Sequence, residues 1–117
     1  MALLIAFVHA VVGWAGCGAI MAVGRKRLGL ERTLIVHAVG APAIFLLLGL
    51  LAGVLRPDLS PLATAAVFLA TAVAFDALIV APFMERSYAM FRSALGTWIP
   101  FGLIFVAGWA GATLSRL

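Results

Sequence analysis

The sequence predicts an all-α integral membrane protein in which a bundle of four helices crosses the bilayer. The first reason is composition: 66% of the 117 residues are apolar and 10% are charged, whereas a soluble domain has about 25% charged residues. The second reason is that the apolar residues form four runs, each close to the roughly 20 residues that cross a hydrocarbon core of about 30 Å. We therefore expect residues 1–117 to form one transmembrane domain.

The first two runs span residues 2–23 and 33–55. The first run has no basic residue before it and a basic cluster after it, which is the reverse of a secretory signal, so we expect a retained helix. The second run contains Pro42, whose ring removes one backbone donor and clashes with the preceding turn. We expect a kink there, which is either a tolerated bend or a hinge.

The third run spans residues 62–84 and is interrupted by one charge, that of Asp76. Because no strong helix breaker follows the run, the third helix can extend to residue 91. Asp58 and Ser60 precede the run and are candidate N-caps, since their side-chain oxygens can accept from free backbone N–H groups of the first turn.

The fourth run spans residues 95–114. Thr97 is a candidate N-cap at its start. Pro100 then falls in the first turn of the helix, where its missing N–H is tolerated because those donors have no partner inside the helix.

The distribution of Lys and Arg predicts the orientation of the bundle. Six of the eight basic residues lie after the first run and after the third run: Arg25, Lys26, Arg27, Arg32, Arg86 and Arg92. The opposite side has Arg56 and Arg116. Short cytoplasmic loops are enriched in Lys and Arg, so both chain termini are expected on the non-cytoplasmic side.

Topology and lipid headgroups also explain the net charge of +4, so the bilayer is an expected partner and nucleic acid is not.

Small residues mark the expected helix contacts, because helices in lipid associate through close backbone approach. The glycines at helical spacing are Gly13 and Gly16, Gly49 and Gly53, and Gly108 and Gly111. One interpretation is tight packing within a single four-helix bundle. The other is that the Gly49 and Gly53 stripe joins protomers of a homo-oligomer.

Three ionisable side chains lie inside the apolar runs, those of His9, His37 and Asp76. Such groups are costly in lipid and are functional candidates by default. His37 lies about one to two turns, and Asp76 about two turns, from the cytoplasmic ends of their runs, so both are expected roughly 6–12 Å below that surface. We therefore predict a His37–Asp76 pair, which either fixes helix register or forms a site for a small ligand or proton.

His9 is expected deeper, roughly 21 Å from the cytoplasmic end of the first run, and facing the bundle interior. Two histidines suggest haem b, but axial ligands need similar depth. His9 and His37 differ by roughly 10 Å or more in depth, so haem b would need ligands from different protomers. The groups at one level are also too few for a structural metal site. We predict no cofactor and no metal.

The chain resembles small uncharacterised four-helix membrane proteins of prokaryotes in two segments, His37-Ala38-Val39-Gly40-Ala41-Pro42 and Leu95-Gly96-Thr97-Trp98-Ile99-Pro100-Phe101. The resemblance covers the whole chain and implies the prokaryotic cytoplasmic (inner) membrane, but no function. The chain is also similar in size to small multidrug-resistance exporters, yet its first helix lacks their acidic residue. It lacks the intramembrane arginines and glutamates of four-helix glutathione-dependent enzymes as well.

Three functional hypotheses follow from these residues. The favoured one is binding or transport of an unidentified small ligand or a proton at His37 and Asp76, with His9 deeper and Pro42 giving flexibility. The second is a structural or accessory subunit, in which the polar pair and the glycine stripes specify packing. The third is an enzyme at the cytoplasmic face, which is disfavoured because no nucleophile lies beside a base at sequence spacing.

Overall fold

A computed structural model describes all 117 residues, and the chain is helical with no strand. The four long helices are α1 (Ala2–Arg27), α2 (Leu30–Leu55), α3 (Pro61–Phe75) and α4 (Ile99–Leu114). Counting α3 together with its continuation to Glu85, and α4 from Ala94, all four are long and apolar enough to cross a membrane. The predicted all-α fold with four such helices is confirmed.

The turn between α1 and α2 is tighter than predicted. Helix α1 continues to Arg27 rather than ending at residue 23, since basic side chains stabilise the negative end of the helix dipole. Helix α2 begins at Leu30, directly after Gly29, whose φ of 82° favours glycine. Helix α2 then continues through Pro42 to its end, so a hinge at this proline stays a prediction.

Helix α3 begins as predicted at the Ser60 cap and then changes character at Asp76. The Ser60 side chain accepts a hydrogen bond from the backbone N–H of Ala63 at 3.1 Å. From Asp76 to Glu85 the helix has the wider π-helical form, which is rare and concentrated at functional sites. The extension to residue 91 is wrong, because the chain turns at Arg86, whose φ of 54° lies in the left-handed region.

The start of α4 is capped differently from the prediction. Ser93 caps the π-helical segment Ala94–Trp98 that leads into α4, since its hydroxyl accepts from the backbone N–H of Gly96 at 2.9 Å. Helix α4 itself has no side-chain cap. Thr97 instead donates its hydroxyl to the carbonyl of Met90 at 2.5 Å, so the expectation that Thr97 caps α4 is wrong. Pro100 lies in the first turn of α4, as predicted.

The bundle measures 40 × 24 × 20 Å, with α1 and α4 each packed against both α2 and α3. Helices α2 and α3 lie across the bundle from each other and have little mutual contact. We call the end formed by residues 24–32 and 86–98 the basic end. The opposite end, with both chain termini and residues 56–60, is the terminal end.

Close backbone contact joins α2 to α4 in the half near the terminal end. A Cβ atom at Gly49 would lie 2.6 Å from the carbonyl oxygen of Gly108, and one at Gly111 would meet the backbone of Leu46. Gly53 likewise faces α4 at Ser115. The Gly49 and Gly53 stripe is therefore used inside the chain, and the interpretation that it joins protomers is not supported.

Gly13 and Gly16 serve the contact between α1 and α2. A Cβ atom at Gly13 would lie 2.6 Å from the ring of Phe45, whereas one at Gly16 would only touch Ile44 at 3.4 Å. Phe45 is fully buried and packs on Phe68 with ring centroids 5.4 Å apart. This buried aromatic pair joins α2 to α3 across the bundle.

Candidate functional site

A cavity of about 520 Å³ lies among the four helices, in the half near the basic end. Its volume is within the roughly 300–1,000 Å³ typical of small-molecule sites. Two of the three predicted site residues, His37 and Asp76, line it together with Trp14 and Cys17. The structure therefore brings His37 and Asp76 to one cavity.

Asp76 is positioned by α1. It is the first residue of the π-helical segment, and its Oδ1 accepts a hydrogen bond from the indole Nε1–H of Trp14 at 3.0 Å. The Trp14 ring packs edge-on against Phe75, with ring centroids 5.1 Å apart. No hydrogen bond from the protein reaches the second oxygen, Oδ2, so this oxygen is free for a ligand.

No hydrogen bond joins His37 and Asp76, so the predicted pair does not form through direct contact of this kind. The protein partner of Asp76 is Trp14, and the Nδ1 atom of His37 is buried without any hydrogen-bond partner. The physical reason is the helix arrangement, because α2 and α3 lie across the bundle while α1 and α3 are neighbours. A buried ring nitrogen without a partner is uncommon and calls for an explanation.

His9 lies outside the cavity. Its Nδ1 is 2.7 Å from the carbonyl oxygen of Ile5, one turn earlier in α1, and the residue is half-buried. The three predicted site residues therefore do not form one site. No group of three or more His, Cys, Asp or Glu side chains is placed to hold a metal ion.

Methionines and other apolar side chains form most of the cavity wall. Three of the four methionines of the chain line it: Met21, Met84 and Met90. Thioether side chains are flexible and polarisable, adapt to ligands of different shape and make favourable contacts with aromatic rings. The wall therefore suits a ligand with a bulky apolar or aromatic body.

The mouth of the cavity faces the basic end. Arg25 and Glu85 form an ion pair there, with 2.7 Å between Nη2 and Oε1. Both side chains are partly exposed, and the neighbouring lining residues Leu30 and Met84 are exposed as well. The cavity wall therefore reaches the surface beside the ion pair.

The segment between α3 and α4 folds over the rim of the cavity. The indole N–H of Trp98 donates to the carbonyl of Phe91 at 2.6 Å, and the hydroxyl of Tyr88 donates to the carbonyl of Ala77 at 3.1 Å. These bonds, together with the Thr97 hydroxyl bond, hold Met90 at the rim. The segment predicted as a helix extension is therefore part of the site.

No protein family model, curated protein or solved structure matches the chain.

Sequence reasoning missed Trp14, the residue that positions Asp76. Trp14 lies nine residues before residue 23 and Asp76 eight residues before residue 84, so matching depths would have placed them at one level. It also missed the Arg25–Glu85 ion pair. No sequence signal identified that pair, because its two residues belong to segments that meet only in the fold.

Proposed function

We propose that the chain is a multi-pass protein of the prokaryotic inner membrane, with its basic end in the cytoplasm and both termini on the other side. Only 26 of 117 residues are buried, and large apolar side chains cover the outside of the bundle, a surface suited to lipid. The bundle is 40 Å long, enough to cross a hydrocarbon core of about 30 Å. The distribution of Lys and Arg supports the orientation.

We infer that the protein binds a small, largely apolar molecule in the cavity, with a polar group of the ligand between Asp76 and His37. The observation that carries this proposal is a cavity of about 520 Å³ whose wall includes both Asp76, with one oxygen free of protein partners, and the half-buried His37. Pockets of this kind, mostly apolar with a few convergent polar groups, are the usual form of small-molecule sites.

Binding is better supported than passage through the bundle. The cavity opens at the basic end, while Gly49 and Gly111 bring helices into backbone contact in the opposite half. Transport of a ligand or proton would require these contacts to separate in a second conformation. The alternative of a structural or accessory subunit is supported by the hydrogen bond between Trp14 and Asp76, which joins α1 to α3.

The binding proposal can be tested with two matched glycine substitutions. A Cβ atom at either Gly18 or Gly102 would meet open space, but Gly18 lines the cavity and Gly102 does not. Gly18→Phe should therefore fill the cavity, while Gly102→Phe places the same ring on the outer face of α4. Both variants should fold, since the Cβ atom added at either position meets no neighbouring atom within 4 Å.

The measurement is native mass spectrometry of the three proteins, purified from membranes in the same detergent, to detect co-purified small molecules. We expect a bound molecule on the wild type and on Gly102→Phe, and none on Gly18→Phe. A wild type that carries nothing, or the same adducts on all three proteins, would overturn the proposal. Such shared adducts would be lipids on the outer surface.

A further inference from the structure

The charges around the cavity define the class of ligand, an inference that rests on the binding site proposed above. Arg25 and Glu85 at the mouth neutralise each other at 2.7 Å. The other ion pair of the chain, Arg56 with Asp58, lies at the terminal end. Asp76 is therefore left with no Lys or Arg partner, and its one hydrogen bond comes from a neutral indole.

A carboxylate in this position favours a cation as its partner. Ionised groups away from water are stabilised mainly by an opposite charge or by several hydrogen bonds. Asp76 has a single hydrogen bond and a free Oδ2 facing available volume. The protein as a whole has a net charge of +4, so this local negative site contrasts with the rest of the molecule.

The side chains that line the cavity indicate the chemical nature of the rest of the cation. Trp14 and Phe101 contribute aromatic rings, and Met21, Met84 and Met90 contribute thioethers. Aromatic faces attract cations, and thioethers contact aromatic rings favourably. A small hydrated ion would make no apolar contact with these walls, and an anion would be repelled by the carboxylate of Asp76.

We propose that the cavity binds a lipophilic organic monocation, whose positive centre lies at Asp76 Oδ2 and whose apolar or aromatic groups pack against the methionines. His37 borders the same volume, so its ring lies beside the bound cation. Entry is from the basic end, past the Arg25–Glu85 ion pair.

The test uses two probes of similar shape and different charge, tetraphenylphosphonium and the neutral triphenylphosphine oxide. Equilibrium dialysis of tritiated tetraphenylphosphonium is carried out with the full chain in phosphatidylcholine nanodiscs, and empty nanodiscs are subtracted. We expect saturable binding of about one cation per chain, and at least tenfold weaker competition by the neutral probe. This comparison is made on the wild type and depends on no variant.

Two carboxylate variants then test the role of Asp76. Asp76→Asn keeps an oxygen that accepts from Trp14 but removes the charge, and it should weaken cation binding at least tenfold. Asp58→Asn removes an equal charge from an exposed turn at the terminal end, and binding should stay unchanged. Asp76→Glu restores the charge and should recover part of the affinity.

The outcomes separate this inference from the binding site on which it rests. If the neutral probe competes as well as the cation, and Asp76→Asn binds with wild-type affinity, the proposal of a cationic ligand is overturned. The cavity then remains a site for neutral ligands. If neither probe binds saturably, and Gly18→Phe and the wild type carry the same adducts, both proposals are overturned.

Discussion

The two halves of the bundle use small residues in opposite ways. Near the terminal end, Gly49 and Gly111 allow α2 and α4 to touch through their backbones. Near the basic end, Gly18 borders a cavity, and a Cβ atom there would meet nothing within 4 Å. Glycine content alone therefore does not distinguish a packed contact from an open wall.

The same contrast holds for backbone geometry. Helix α3 is regular through Phe75 and packs on α4 near the terminal end, but it becomes π-helical from Asp76 onwards. A π-helical stretch is wider than an α-helix and is often found at functional sites. We interpret the packed half as the part that maintains the fold and the open half as the part that binds.

The largest expected effect comes from one Gly→Ala substitution in each half. In Gly111→Ala the new methyl group would meet the backbone of Leu46 and Leu50, and we expect a loss of about 1–3 kcal/mol in the free energy of unfolding. Gly18→Ala should instead gain up to about 1 kcal/mol, because alanine is the better helix former. Unfolding by sodium dodecyl sulfate titration measures both. Equal effects at the two positions would remove the distinction between the halves.

A smaller effect is expected for the bond that ties α1 to α3 in the open half. In a double-mutant cycle of Trp14→Phe and Asp76→Asn, we expect a coupling free energy of about 1–2 kcal/mol, since the bond is partly buried and involves a carboxylate. Phe7→Leu, next to the same Phe75 ring, serves as a control for lost aromatic packing. A coupling indistinguishable from zero would mean that Asp76 is not positioned by Trp14.

The smallest effect concerns the turn at the terminal end. The Arg56 guanidinium donates two hydrogen bonds to Asp58, at 2.9 and 2.7 Å, and lowers the pKa of this carboxyl from 3.8 to about 2. A lowered pKa in the folded state stabilises the fold above the ordinary value, and this contribution is lost as the pH falls from about 4 towards 2. Asp58 is exposed, so the change should be small.

The check is the melting temperature in detergent, recorded between pH 5 and pH 2 for the wild type and Asp58→Asn. The difference between the two proteins should shrink as the pH falls through this range. A constant difference would show that the ion pair contributes nothing to stability.

The sequence predicts the four helices well because each apolar run is long enough to cross a bilayer core as one helix. Four apolar runs of about 20 residues have few alternatives in lipid, and Ser60 is a strong capping residue. The local exceptions were not predictable in the same way. The π-helical segment and the turn at Arg86 were not predicted, although Pro82 lies inside the π-helical segment and a proline ring disturbs a regular α-helical turn.

The sequence predicts that His37 and Asp76 lie near each other along the bundle, but not which side chains they contact. Counting residues places His37 and Asp76 at one level, and both line one cavity. Which side chains touch depends on which helices are neighbours, and α1 rather than α2 lies beside α3. Trp14 therefore takes the position that the sequence assigns to His37.

The most direct test of the account compares the two histidines of the chain. His37 borders the cavity with an unpartnered Nδ1, while His9 bonds to its own helix outside the cavity. The measurement is the ring ¹Hε1–¹³Cε1 spectrum of histidine-labelled protein in nanodiscs, titrated with tetraphenylphosphonium. The account predicts that the His37 signal shifts and saturates while the His9 signal stays in place. A His37 signal that does not move, or equal shifts of both signals, would contradict it.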